Sequence, residues 1–99
     1  HLVVAAGQPV LGTQPGAEDC GAIQAALERT EHIDRVIHLR TQYLGPEEML
    51  VAAKIALAAH TDLATVAATI DTAEAAIRAA VPAAGVIYLE PDLDRALTP

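Results

Sequence analysis

The sequence has no Phe, no Trp and no Ser, and only one Met, one Cys and two Tyr among 99 residues. Small side chains bury little area each, and apolar burial stabilises a fold by roughly 25 cal/mol per Å². A chain of this length forms one small domain with a modest core. We therefore expect an alanine-rich core that is closely packed or completed by a partner, and the composition favours a homodimer.

The sequence has few side chains that could act as a catalytic nucleophile, which argues against an enzyme. Cys20 is the only cysteine, so the chain has no internal disulfide and no paired-cysteine motif. Cys20 lies near a predicted helix start, where a thiol can be activated, but the favoured interpretation is that it packs as a small apolar residue. The sequence has neither a Gly-rich phosphate loop nor a nucleophile with a matching base and orienting group.

Positive charge is also scarce, because six Lys and Arg face 13 Asp and Glu and the net charge is −7. Binding to nucleic acid or to an anionic membrane surface requires clustered Lys and Arg, so both are disfavoured. No apolar run approaches the length of about 20 residues that a membrane span needs, and no signal peptide is evident. An acidic surface suits cations, although plain solubility is the favoured explanation.

Hydrophobic periodicity predicts the order α-β-β-α-β. The predicted helices cover about 17–29 and 62–81, with Thr61 as N-cap of the second, and the strands cover about 35–43, 49–58 and 86–90. Residues 1–16 are predicted to be a linker, an irregular lead-in or a tag remnant, 17–92 the folded domain, and 93–99 a polar tail. Residues from Asp92 onward are expected to lie outside the last strand.

The side chains of the first strand alternate between two faces. The inward set is predicted to be Ile37, Leu39, Thr41 and Tyr43, and the outward set Val36, His38, Arg40 and Gln42. On the second helix the predicted apolar stripe is Leu63, Val66, Ile70, Ala73, Ile77 and Ala80. Both helices must pack on one sheet face, so the other face stays open unless a partner covers it.

Three phrases in this order, "HLRTQYLGPEEMLVAAKIAL", "TIDTAEAAIRAAVP" and "VIYLEPD", resemble the cytoplasmic C-terminal domain of the cation diffusion facilitator transporters. The resemblance spans about Gly12 to Asp92. It implies an α+β, ferredoxin-like (metallochaperone-like) two-layer sandwich. Two helices would lie on one face of a mainly antiparallel three-stranded sheet. It also implies a homodimer on the cytoplasmic face of the cell membrane, attached to six membrane helices of a zinc, iron or manganese effluxer.

In zinc-binding members of that family, histidines near the dimer interface hold metal. The matching positions here are Ile37, Ala53, Ala67 and Tyr88, and only the acidic position is kept in kind, as Glu90. His38 is one residue away from the family position, and a one-residue offset in a strand reverses the face. Zinc needs about four ligands, mostly Cys and His, so the family site is not expected here.

Two consequences follow from these replacements. A different site for Zn, Mn or Fe is conceivable at His38, Glu90 and Asp92, with His60, Asp62 and Asp94 as further donors, because hard cations accept carboxylates. The favoured interpretation is that these groups are solvated, as are the turn residues His32 and His60. The replaced positions Ile37, Ala53 and Tyr88 are expected to form an apolar dimer interface that needs no metal.

Two functional classes remain open. The first is a regulatory and dimerisation domain of a cation effluxer. The second is a free-standing ferredoxin-like domain that senses a small molecule or a metal, which the Gly-Pro turn and the "IYLEPD" ending disfavour. A soluble metallochaperone would need a paired-cysteine loop, which the sequence lacks.

Overall fold

A computed structural model describes residues 17–94 of the chain. Its elements are α1 (Ala17–Arg29), β1 (Arg35–Gly45), β2 (Glu48–Leu57), α2 (Leu63–Ala80) and β3 (Ala84–Leu93). The sheet has the strand order β1-β2-β3, with β1 antiparallel and β3 parallel to β2. The predicted element order and two-layer ferredoxin-like fold are confirmed, and the sheet is mixed. The predicted linker 1–16 and residues 95–99 of the predicted tail lie outside the described residues.

Both helices begin with groups that suit a helix N-terminus. Glu18 and Asp19 lie in the first turn of α1, where negative charge is favoured. The N-cap of α2 is Asp62, whose Oδ1 accepts a hydrogen bond from the Thr65 backbone N–H at 2.8 Å. The prediction of Thr61 as N-cap is wrong, because the Thr61 hydroxyl donates to the Ala58 carbonyl at 2.8 Å instead.

The core lies between the helices and one sheet face. Ile23 and Leu27 of α1 and Ile77 of α2 are fully buried there, together with the inward side chains of β2. The buried residues of α2 are Thr69, Ala73 and Ile77, so the predicted stripe is only partly right. Leu63 is 81% exposed because, as the first residue of the helix, it lies beyond the buried stripe.

β1 departs from simple alternation at Ile37. Val36 pairs with Ile55 and His38 with Lys54, so Ile37 has no partner on β2 and forms a bulge. Val36 therefore packs against the core, and its predicted outward position is wrong. Ile37 is half-buried and is not among the residues that pack on the core, whereas Leu39 and Tyr43 do so as predicted.

β3 is longer than predicted and extends past Pro91 to Leu93. Proline has no backbone N–H to donate, and it is tolerated here because β3 is an edge strand. Asp92 and Leu93 thus belong to the sheet rather than to the tail. Just after the strand, the Asp94 backbone N–H donates to the Leu57 carbonyl at 2.9 Å.

The two ends of the sheet differ. At the turn end, the tight β1–β2 turn lies near the start of α1, where the Tyr43 hydroxyl donates to Asp19 Oδ2 at 3.4 Å. At the opposite end, α2 begins and β3 finishes beside the last residues of β2. The chain therefore enters this fold at the turn end and leaves it at the opposite end.

Candidate functional site

The sheet face away from the helices carries the polar side chains singled out in the sequence. We call this surface the open face. It includes the following outward-facing side chains of the three strands: His38, Arg40, Gln42, Leu50, Ala52, Lys54, Val86, Tyr88, Glu90 and Asp92. The strand register arranges them in rows that run across the sheet. One row is His38, Lys54 and Glu90, the next is Arg40, Ala52 and Tyr88, and the third is Gln42, Leu50 and Val86.

Lys54 is the charged centre of the open face. Its Nζ lies 3.7 Å from Glu90 Oε2 and 3.8 Å from Asp92 Oδ2. Asp92 also accepts a hydrogen bond at Oδ1 from the Leu93 backbone N–H at 2.7 Å. The Glu90 side chain is 70% exposed, so its ion pair adds at most about 1 kcal/mol to stability. The effect of Lys54 is therefore chiefly on the charge of this surface.

The three predicted metal ligands lie on the open face, but Lys54 stands among them. His38 pairs with Lys54 across the antiparallel strands, and Glu90 and Asp92 both face the same ammonium group. Between residues 17 and 94, no three His, Cys, Asp or Glu side chains are grouped closely enough to hold a metal ion. An ammonium group beside both carboxylates disfavours a second cation there, because the like charges repel.

The three predicted interface residues do not form one surface. Tyr88 lies on the open face and is 66% exposed. Ala53, one residue before Lys54, points to the helices and belongs to the buried core. Ile37 is at the bulge of β1. The expected apolar patch made of these three residues is therefore not continuous, because neighbouring strand residues alternate between faces and the bulge displaces Ile37.

A shallow concavity of about 320 Å³ lies on the open face. His38, Arg40, Lys54, Tyr88 and Glu90 contribute to its lining. From the sequence, His38 and Glu90 were predicted as candidate metal ligands and Arg40 as an outward-facing residue, whereas no role was predicted for Lys54. A sequence signal was present, since Lys54 is the only lysine of the chain and interrupts the apolar run 49–57.

The remaining candidate residues lie elsewhere. His32 and His60 are exposed turn residues. Ala67 is exposed on α2. Cys20 is half-buried, and its Sγ lies 3.2 Å from Thr41 Oγ1. This contact fits the favoured packing role of the thiol, and none of these residues joins the open face.

Two side chains away from the open face, the Tyr43 phenol and the Asp62 carboxyl, have pKa values that differ from their ordinary values. Burial of the Tyr43 phenol raises its pKa, and the nearby charge and hydrogen bond of Asp19 raise it further. At the start of α2, hydrogen bonds from Thr65 hold the pKa of the Asp62 carboxyl below its ordinary value. Asp62 caps α2, and the Tyr43–Asp19 hydrogen bond joins β1 to α1, so neither group belongs to the open face.

Comparison with known families decides the assignment. The family described as cation efflux protein, cytoplasmic domain, matches residues 15–92. The chain belongs to this family. Its match covers both helices and all of the sheet except the last residue of β3, so the open face with Lys54 is part of the family's domain.

Solved structures support the fold of this cation efflux domain. A nickel form of a MamM CTD variant is 19% identical and has a TM-score of 0.71, with 76% of this chain and 94% of that chain covered. A manganese form of another variant is 20% identical with a TM-score of 0.70 and the same coverage. A cadmium form is 18% identical with a TM-score of 0.72 and covers 78% and 95%. No curated protein matched the chain.

The membrane part of a cation efflux protein is not among the described elements. Neither α1 nor α2 is long and apolar enough to cross a bilayer.

Proposed function

We propose that this domain holds two copies of a divalent-cation effluxer together through the open face, without metal. The observation that carries the proposal is which side chains this face exposes and which of them are already paired. It exposes Tyr88 beside the half-buried Leu50, Ala52 and Val86, while its one ammonium group, Lys54, faces both candidate acids. A sheet face with apolar residues and no covering layer favours association.

The metal-independent part of the proposal rests on charge. A divalent cation at Glu90 and Asp92 would have to displace Lys54 Nζ, which lies within 4 Å of both. His38 would be the only nitrogen donor, whereas zinc sites in proteins use mostly Cys and His. Without a metal, contacts between side chains would hold the two copies together, as bound metal helps to do in zinc-binding relatives.

The occupant of the open face is proposed to be a second copy of this chain. On the open face, β1 carries His38 and Arg40 and no acid, whereas β3 carries Glu90 and Asp92 and no base. One face thus offers both signs of charge at separate edges. Such a surface complements an identical surface, as a two-fold dimer requires.

Oligomeric state tests this proposal directly. We expect sedimentation equilibrium to show a dimer whose dissociation constant is the same with and without a chelator. Tyr88→Asp is expected to shift the protein toward monomer, because it places a charge within the apolar part of the interface. Leu63→Asp is the matched control, since it places the same charge at an exposed apolar residue on α2, away from the open face, and should leave the dimer intact. Chelator-induced dissociation, or a dimer insensitive to Tyr88→Asp, would contradict the proposal.

Calorimetric titration tests the absence of a metal role. We expect no saturable binding of Zn²⁺ or Mn²⁺ to the wild-type domain. Saturable binding that disappears in Glu90→Ala or His38→Ala would show a metal site on the open face and overturn this part of the proposal.

We further propose that the domain is joined to an N-terminal membrane domain of about six helices and hangs on the cytoplasmic face of the cell membrane. Membership of the cation efflux family supports this attachment. The alternative is a free-standing sensor of a small molecule or metal. The coding sequence upstream of Leu2 distinguishes them, because several apolar spans support the transporter and a start codon directly before Leu2 supports the sensor.

A further inference from the structure

The charges of the open face are divided between its two edge strands. On the β1 side, Arg40 is exposed and forms no hydrogen bond or ion pair within residues 17–94. On the β3 side, Glu90 is largely exposed and has only the contact of 3.7 Å with Lys54. Because the strand order is β1-β2-β3, these two exposed charges of opposite sign lie on opposite sides of the central strand.

We propose that two copies pack open face to open face with the two-fold axis parallel to β2, so that β1 of each copy lies over β3 of the other. This inference rests on the proposed dimerisation. A two-fold axis parallel to the strands exchanges the two edges of the sheet, which brings the basic edge over the acidic edge twice. Packed sheets of this kind lie about 10 Å apart with their strands within about 30° of each other.

The rows determine which side chains meet. A rotation about an axis parallel to the strands keeps each residue at its own level along the sheet. Arg40 shares its row with Tyr88, so its guanidinium group meets the ring of the partner's Tyr88, an arrangement that favours a cation–π contact. The partner's Glu90 is two residues farther along β3, about 6.6 Å away along the strand, within reach of a long arginine side chain.

Lys54 is compatible with this axis although it lies on the central strand. The axis brings the two Lys54 residues near each other, and like charges at that place would repel. Each ammonium group is, however, held beside Glu90 and Asp92 of its own sheet, on the side of β3. The two carboxylates compensate its charge and draw it away from the axis.

The alternative axis, perpendicular to the strands, is less favourable. It places β1 over β1 and β3 over β3, so the two basic edges face each other and the two acidic edges face each other. It also turns the two domains end for end. The parallel axis keeps the turn end of both copies, where α1 begins, on the same side of the dimer. Two chains that enter from one membrane surface require this arrangement.

Charge reversal distinguishes the two axes. With the parallel axis, Arg40→Glu and Glu90→Arg each replace attraction by repulsion at two equivalent contacts, so each is expected to weaken the homodimer about tenfold or more. The double variant Arg40→Glu/Glu90→Arg restores the attraction and should dimerise nearly as well as wild type. An equimolar mixture of the two single variants should form a heterodimer of near wild-type affinity. Circular dichroism verifies that every variant is folded.

The possible outcomes separate the axis from the dimer itself. If wild type is dimeric and the single reversals leave its dissociation constant unchanged, the proposed axis is wrong but the dimer stands. If wild type is monomeric at all concentrations, dimerisation fails and the axis with it. Raising the salt concentration is expected to weaken the wild-type dimer, because both contacts are between charged edges.

Chemical cross-linking provides a second measurement. In a Cys20→Ala background, Gln42→Cys and Val86→Cys occupy the same row on opposite edge strands. With the parallel axis, a short bifunctional maleimide should join the two variants when they are mixed and neither when it is alone. Cross-linking of either single variant to itself, without a mixed product, would contradict the parallel axis.

Discussion

The Arg35 Nε atom lies 3.0 Å from Asp94 Oδ1, which connects the start of β1 to the residue after β3 across the whole sheet. The Asp94 side chain is 6% exposed and that of Arg35 is 44% exposed, so the pair is only partly screened by water. Hydrogen bonds to charged groups contribute more than neutral ones when they are shielded from solvent. This contact therefore stabilises the end of the sheet at which the chain leaves the fold.

We expect a double-mutant cycle on Arg35→Ala and Asp94→Ala to give a coupling of about 1–2 kcal/mol in the free energy of unfolding. The control cycle is Glu74→Ala and Arg78→Ala, an i,i+4 pair at 3.6 Å on α2. That more exposed pair should couple by about 0.3–0.5 kcal/mol. Urea denaturation measures both cycles. Equal coupling energies would contradict the expectation that the more buried pair is the stronger one.

The N-cap of α2 should show a pH-dependent contribution to stability. Hydrogen bonds from Thr65 lower the pKa of Asp62, so its contribution is present above the unfolded pKa of about 3.9 and is lost as pH falls toward the folded pKa. Asp62→Ala is expected to lower the melting temperature at neutral pH, with the difference from wild type shrinking in acid. Asp62→Asn is the control, because it keeps the cap without a charge. A difference for Asp62→Ala that is constant with pH would argue against this role.

Tyr43 should ionise at a higher pH than an ordinary tyrosine. Burial is the main cause of its raised pKa, and Asp19 adds to it. The resulting stabilisation is present below the unfolded pKa of about 10 and is lost as pH rises through the folded pKa. In a Tyr88→Phe background, where Tyr43 is the only tyrosine, phenolate absorbance measures its titration.

Asp19→Asn is expected to lower the Tyr43 midpoint without returning it fully to the ordinary value, since burial remains. Glu18→Gln removes a charge from the neighbouring exposed position and should have a smaller effect. An unchanged midpoint in Asp19→Asn would show that the contact of 3.4 Å does not influence the phenol.

Two apolar residues of α2 should respond very differently to truncation. Ile77 is fully buried and Leu63 is 81% exposed. Ile77→Ala leaves a cavity and is expected to cost about 2–5 kcal/mol in the free energy of unfolding. Leu63→Ala should change it by about 0.5 kcal/mol or less. Chemical denaturation measures both variants, and similar losses would indicate that the first turn of α2 is covered by something in solution.

The sequence predicted the elements well because their patterns are local. The bounds of α1 were correct, and the alternating apolar residues of β2 all face the core, since period-2 patterning records burial directly. Thr61 and Asp62 are both good capping residues, so composition did not distinguish them. The extension of β3 past Pro91 depends on its position at the sheet edge, which only the assembled sheet reveals.

The candidate site was predicted less well because it depends on which strands are neighbours. His38 faces outward as predicted. Glu90 and Asp92 lie on the same open face, although no face was predicted for Glu90 and Asp92 was expected to lie outside the last strand. Their common neighbour, Lys54, was not predicted, because its contact with β3 follows from the parallel pairing of β2 with β3. Ala53 was placed by comparison with the family rather than by its own alternation, which directs it to the core.

The bulge at Ile37 gives β1 one residue more than its pairing with β2 requires. Val36 lies inward and His38 outward on either side of it, so removal of Ile37 would leave an ordinary alternating strand. Ile37 has neither a partner residue on β2 nor a place among the side chains that pack on the core, so the pairing of its neighbours does not depend on its side chain. Counting alternate residues from Leu39 back through Ile37 therefore does not predict which face a β1 side chain occupies, because the bulge shifts the alternation by one residue.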